Sequence, residues 1–182
     1  MTISPTALPD VKIIEPALFE DDRGFFMETW NARAFASSGI EASFVQDNHS
    51  RSAKGVLRGL HYQIGRPQGK LVRVVAGRAF DVAVDLRRSA PSFGSWAGIE
   101  LSAENRRMLW VPPGFAHGFL ALEVGTELLY KCTDYYAPEL ERTLLWSDPG
   151  IGIKWPLEEG GAAILSDKDL AGLTLQRAET FP

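Results

Sequence analysis

Hydrophobic and polar positions alternate along much of this chain with a period of two, the spacing of strands that bury one face. The clearest run is Phe80, Val82, Val84 and Leu86 interleaved with Asp81, Ala83, Asp85 and Arg87. Gly77-Arg78 reads as the turn of a hairpin joining Lys70–Ala76 to Ala79–Arg87. Val56–Ile64, Ser95–Leu101, Arg107–Val111, His117–Leu122 and Glu127–Thr133 read as further strands, parted by Gly, Pro or Asn. Strands at spacings of about ten residues, with no helical periodicity between them, imply a sandwich or barrel.

The first fifty residues add short strands at Val11–Glu15, Gly24–Trp30 and Phe44–His49, with a turn at Asp21–Gly24 and a polar loop at Ser50–Lys54. Asn31 is placed to cap a brief helix over A-R-A-F-A-S-S that Gly39 ends. From Pro138 the chain turns often, in W-S-D-P-G-I-G-I-K-W-P, and Ser166 is placed to cap a short turn over D-K-D-L. Residues 138–182 therefore read as a strap over one domain spanning 1–182.

Composition narrows the class. The chain is 45% hydrophobic and 23% charged, ordinary for a soluble globular protein. There is no apolar run long enough to span a membrane. The opening M-T-I-S-P-T lacks the basic and apolar regions of a secretory signal. The single cysteine, Cys132, excludes an intrachain disulfide and fits a cytoplasmic location. With 19 basic against 23 acidic residues and a net charge of −4, nucleic acid is a poor partner.

Against that acidic background, 55–78 holds Arg58, Arg66, Lys70, Arg73 and Arg78 and no Asp or Glu. Such a local excess points at a small anion. His61 sits inside it and reads either as a proton-accepting base or as a half-buried histidine satisfied by a backbone carbonyl. Strand alternation puts His61 and Gln63 on one face and Tyr62 on the other. P-P-G-F-A-H-G-F, residues 112–119, makes a rigid turn that delivers His117 to a strand. A metal held by His61 and His117 is disfavoured. Only His49 remains besides, and Gln63 stands where a further histidine would be expected. Tyr130 reads as a core aromatic, or as a general acid if it faces His61 across a barrel. Asp81, Asp85 and Asp169 are the carboxylates that could orient His61.

Taken in order, V-L-R-G-L-H-Y-Q, Q-G-K-L-V-R-V-V-A-G, V-P-P-G-F-A-H-G-F, Y-K-C-T-D-Y-Y-A-P and L-S-D-K-D resemble the dTDP-4-dehydrorhamnose 3,5-epimerases of the cupin superfamily. The resemblance runs from D-R-G-F-F at 22–26 to residue 170. It implies an all-β double-stranded β-helix, or jelly-roll, barrel with a few short helices. It also implies a homodimer, no metal or organic cofactor, and a dTDP-linked 4-keto-6-deoxy sugar as substrate. By the same resemblance His61 is the base, Asp169 its paired carboxylate, Tyr130 the acid and Lys70 the cation near the C4 oxygen. Arg23, Glu28, Gln46, Asn48, Arg58, His117, Glu141 and Lys168 fall at positions that bind sugar, diphosphate or nucleotide.

Overall fold

The computed structural model describes residues 1–182. The chain forms β1 (Thr2–Pro5), β2 (Lys12–Glu15), β3 (Leu18–Asp21) and β4 (Gly24–Met27), then helix α1 (Ala32–Ala36). It continues through β5 (Gln46–Ser52), β6 (Leu57–Gln63), β7 (Lys70–Ala76) and β8 (Arg78–Asp85). Next come β9 (Trp96–Ser102), β10 (Met108–Val111), β11 (Phe115–Ala121) and β12 (Thr126–Cys132). A 3₁₀ turn at Pro138–Leu140, β13 (Glu141–Thr143) and α2 (Asp167–Leu170) complete it.

Two antiparallel sheets make a jelly-roll barrel. One has the order β1-β2-β10-β7-β12-β5, the other β13-β6-β11-β8-β9, and β3–β4 is a separate hairpin. The inner core lies between the sheets and takes alternate residues from both. Val72, Val74, Leu109, Val111 and Leu128 come from the first sheet, and Ala79, Ala83, Ala97, Leu101 and Phe119 from the second.

Both outer faces are covered as well. Over the first sheet, Leu71, Met108, Trp110 and Ile14 pack with Phe35 of α1 and Ile40. Asn31 does cap this helix: its Oδ1 accepts from the backbone N–H groups of Arg33 (3.1 Å) and Ala34 (3.2 Å). Over the second sheet, Leu60, Tyr62, Val82, Val84 and Leu86 meet Ile151, Trp155, Leu175 and Phe181 from the C-terminal strap. Parallel bridges at Val56–Ile164 and Arg87–Phe181 hold the strap down, and a third at Leu144–Leu173 ties its far end to the residue that follows β13.

Three local expectations are corrected. β7 and β8 are not a hairpin, because Arg78 already belongs to β8 and only Gly77 lies between them. A hairpin loop needs at least two residues. Gly77, at φ +68°, instead turns the chain from one sheet into the other. The 79–87 alternation does not mark a strand with only one buried face. Asp81, Ala83 and Asp85 are as fully buried as Val82 and Val84, since the facing sheet covers one face and the strap the other. Finally, 50–52 continues β5 rather than beginning a loop, its backbone pairing with β12.

β6 and β11 cross closely, and the reason is glycine at two facing positions. A Cβ on Gly118 would stand 2.6 Å from the Arg58 carbonyl oxygen and 3.0 Å from Gly59 Cα. Backbone cannot retreat as a side chain can. Gly118→Ala is therefore expected to cost about 1–3 kcal/mol, read as a lower urea midpoint. An unchanged midpoint would mean that the crossing is looser than the distances state.

Candidate active site

Between the sheets a cavity of about 460 Å³ opens to solvent, lined by residues from both. β5 turns every second residue into it, giving Gln46, Asn48 and Ser50. β12 supplies Tyr130 and Cys132, and β7 supplies Lys70. From the other sheet come Arg58 and His61 of β6, His117 and Phe119 of β11, and Glu141 of β13. Ser166, Lys168 and Asp169 reach in from the strap.

His61 Nε2 lies 2.8 Å from Asp169 Oδ1. An ionised carboxylate only accepts, so Nε2 carries the hydrogen of this bond and Nδ1 is the ring nitrogen left for other work. Asp169 is 3% exposed yet well satisfied. Its Oδ1 also accepts the Gly59 N–H (3.1 Å), and its Oδ2 accepts the Ser166 hydroxyl (2.6 Å) and N–H (3.3 Å). Burial alone would raise its pKa, but the bonds from His61, Ser166 and Gly59 outweigh it and hold the carboxyl well below its usual range. Of the three carboxylates that could orient His61, the strap's Asp169 does so. Asp81 instead meets His117, Oδ1 to Nε2 at 2.8 Å, and Asp85 holds Arg87.

Lys70 starts β7 from the sheet opposite His61 and is 8% exposed. Its ammonium donates to the His61 carbonyl at 3.4 Å and has no carboxylate within ion-pair distance. Burial lowers its pKa, against the pull of Cys132, Glu141 and Asp81. Tyr130 stands on that same opposite sheet, and burial raises the pKa of its phenol, which keeps its proton at neutral pH. Burial raises the Cys132 thiol too, so it is a neutral wall group. Near the mouth, Glu141 accepts from Lys168 (2.9 Å) and from the Tyr136 hydroxyl (2.9 Å). Burial opposes its ionisation, and these two bonds outweigh that to lower its pKa.

The acid-free run 55–78 divides into separate jobs. Arg58 and Lys70 face the cavity, whereas Arg66 is tied to Asp134 and Arg78 to Glu100 and Glu123. Gln63 does not share the cavity with His61. It is buried, its amide bonding the carbonyls of Arg66 and Tyr135 and the N–H of Ala137. Arg23 and Glu28 do not reach the cavity either. Arg23 stays at the tip of the β3–β4 hairpin on Asp21, and Glu28 accepts from Asn31 Nδ2 (3.1 Å). Gln68, Phe119, Cys132 and Tyr136 line the cavity without having been singled out. Their only sequence signal is a place inside motifs read for other residues.

A jelly-roll barrel holding a carboxylate-oriented histidine, a buried lysine and a half-buried tyrosine around one cavity is arranged as an acid–base enzyme. Comparison with known proteins narrows this. The family model described as dTDP-4-dehydrorhamnose 3,5-epimerase matches residues 5–177. The chain is 57% identical to the dTDP-4-dehydrorhamnose 3,5-epimerase of Pseudomonas aeruginosa, over 100% of both chains. It is 59% identical to the protein of that name from Neisseria gonorrhoeae, over 98% of this chain. It spans 54% of that relative's length. A crystal structure of the dTDP-6-deoxy-D-glucose-3,5-epimerase of Legionella pneumophila, in complex with dTDP-4-keto-L-rhamnose, superposes with a TM-score of 0.94 at 51% identity. That match covers 98% of this chain and 94% of the other. The chain belongs to the dTDP-4-dehydrorhamnose 3,5-epimerase family.

The depressed pKa of Asp169 carries a stability consequence. A carboxyl with a lowered folded-state pKa stabilises the fold above its unfolded value, and that stability fades as pH falls toward the folded one. Asp169→Asn removes this titration. Its stability is expected to fall less steeply than the parent's between about pH 5 and 2, read from urea midpoints across that range. Parallel curves would show that the carboxylate is not held as described.

Proposed function

We propose that this protein epimerises dTDP-4-dehydro-6-deoxy-D-glucose at C3 and C5 to dTDP-4-dehydro-L-rhamnose, in the route to dTDP-L-rhamnose. The observation that carries the reading is the placement of His61, paired with the strap's Asp169, on one sheet and of Tyr130 and Lys70 on the other, around one cavity. Inversion at carbon needs a proton removed from one face and returned to the other, and two facing sheets supply two faces.

His61 Nδ1 takes the proton beside the C4 ketone, and Asp169 stabilises the imidazolium that results. The C–H is acidic only if charge on the C4 oxygen is met. Lys70, a buried cation without a carboxylate partner, meets it as the enolate forms. Tyr130, held protonated by burial, returns a proton from the opposite side. Arg58 and His117 bind the diphosphate, and Gln46, Asn48, Glu141 and Lys168 bind the sugar and nucleotide. This remote binding holds the reacting carbons in place. The reading needs neither metal nor organic cofactor, and a cytoplasmic setting agrees with the free Cys132.

Incubation with the dTDP-linked keto sugar in D2O is expected to put deuterium at both C3 and C5, followed by NMR. His61→Asn abolishes exchange at both carbons. Tyr130→Phe still exchanges but loses inverted product. Exchange at a single carbon would move the assignment to a one-site epimerase, and binding without any exchange would leave a sugar-nucleotide-binding barrel.

We further propose that the active form is a homodimer built on the β3–β4 hairpin. Phe19, Phe25 and Phe26 are 64%, 55% and 69% exposed there, Phe19 and Phe26 paired on one face and Phe25 on the other, apolar exposure unusual for a surface left to water. Arg23 and Glu28, which the family resemblance assigns to substrate, flank these residues away from their own cavity, and a second copy would bring them to one. Replacing Phe25 and Phe26 together with Ser is expected to give monomers by sedimentation and to raise KM. A variant that remained dimeric would place the interface elsewhere.

A further inference from the structure

The carboxylate of Asp169 has about four acceptor sites, and the structure fills them from four donors. Oδ1 takes His61 Nε2 and the Gly59 N–H, and Oδ2 takes the hydroxyl and N–H of Ser166. The shortest of these is the Ser166 hydroxyl at 2.6 Å. The same oxygen accepts from the Asp169 N–H at 3.3 Å, closing a capping box on α2. Ser166 thus does two separable things. It caps a single helical turn, and it fixes the rotation of the carboxylate that orients His61.

We propose that Ser166 is a positioning residue of the acid–base pair, acting on His61 through Asp169. Three facts on the protein favour this over capping alone. The helix it caps is four residues long, so the cap secures little else than Asp169 itself. Ser166 is exposed and lines the open cavity, so water can take the place of its hydroxyl on Oδ2, but a mobile water does not fix the rotation of the buried carboxylate as a tethered hydroxyl does. The Ser166 N–H, at 3.3 Å, is the longest of the four bonds and by itself constrains the carboxylate least. With the hydroxyl gone the carboxylate turns about its own bond, and Oδ1 leaves the line to Nε2.

The proposal rests on the epimerase reading for its rate test but not for its spectroscopic one. Glycine is tolerated at an N-cap nearly as well as serine, so Ser166→Gly keeps the helix start while removing the hydroxyl. Ser166→Thr keeps both. With the dTDP-linked keto sugar, Ser166→Gly is expected to lower kcat about ten- to hundredfold. KM is expected to stay within about twofold, since this hydroxyl is already committed to Asp169. Ser166→Thr recovers most of the lost rate. In the resting protein, proton NMR of the hydrogen shared by His61 and Asp169 is expected to broaden or vanish in Ser166→Gly and to persist in Ser166→Thr.

A Gly variant with parental kcat and an unaltered shared-proton signal would overturn the proposal, leaving Ser166 as a cap only. A parent without turnover would sink the epimerase reading, and the proton signal alone would then decide the role of Ser166.

Discussion

The carboxylate of Asp169 is the point at which the strap, the barrel and the chemistry meet. A buried charge costs several kcal/mol unless it is paired and hydrogen-bonded. Here two donors come from β6 and two from the strap, so the cost is offset only when both are in place. The strap is secured elsewhere by bridges and by apolar contacts over the second sheet. Only at Asp169 does docking it also complete the pair with His61. The docking of the strap and the orientation of His61 thus share one side chain.

That dependence reaches into the barrel through Gly59. Its N–H faces Asp169, while its Cα lies so close to Gly118 that neither position has room for a side chain. The tight crossing of β6 and β11 also sets His61 and His117 as register partners on neighbouring strands. Each then finds its own carboxylate, one from the strap and one from β8. Two His–Asp pairs side by side follow from one backbone approach.

The strands were legible because their period is local, and most observed bounds fall within a residue or two of the runs read from sequence. Which strands pair was less legible. Gly77 looks like a hairpin turn until Arg78 is seen to belong to β8. Asp81 and Asp85 are hydrogen-bonded but fully buried, and their burial comes from residues far along the chain that local alternation does not report. The charge excess of 55–78 did point to the cavity, but only Arg58 and Lys70 serve it, and the partners of Arg66 and Arg78 lie at sequence distances no local pattern reports. Asp169 was one of three carboxylates open as partners of His61, and only the family motif set it apart, since L-S-D-K-D has no periodicity that would reveal a buried carboxylate. Arg23 and Glu28 came from the same resemblance, and a single chain does not bring them to the cavity.

Lys70 gives the cavity a means of refusal. Its ammonium is buried, touches one carbonyl at 3.4 Å and is matched by no carboxylate. A guest that brings an oxygen able to accept from it relieves that deficit, whereas a guest of the same shape without one seals an unsatisfied cation away from water. Sites that leave a buried polar group unpaired reject such analogues by roughly 10⁴- to 10⁵-fold, far more than a poor apolar fit achieves. Under the function proposed above, discrimination comes less from how well the right sugar is gripped than from how badly the wrong one leaves the lysine.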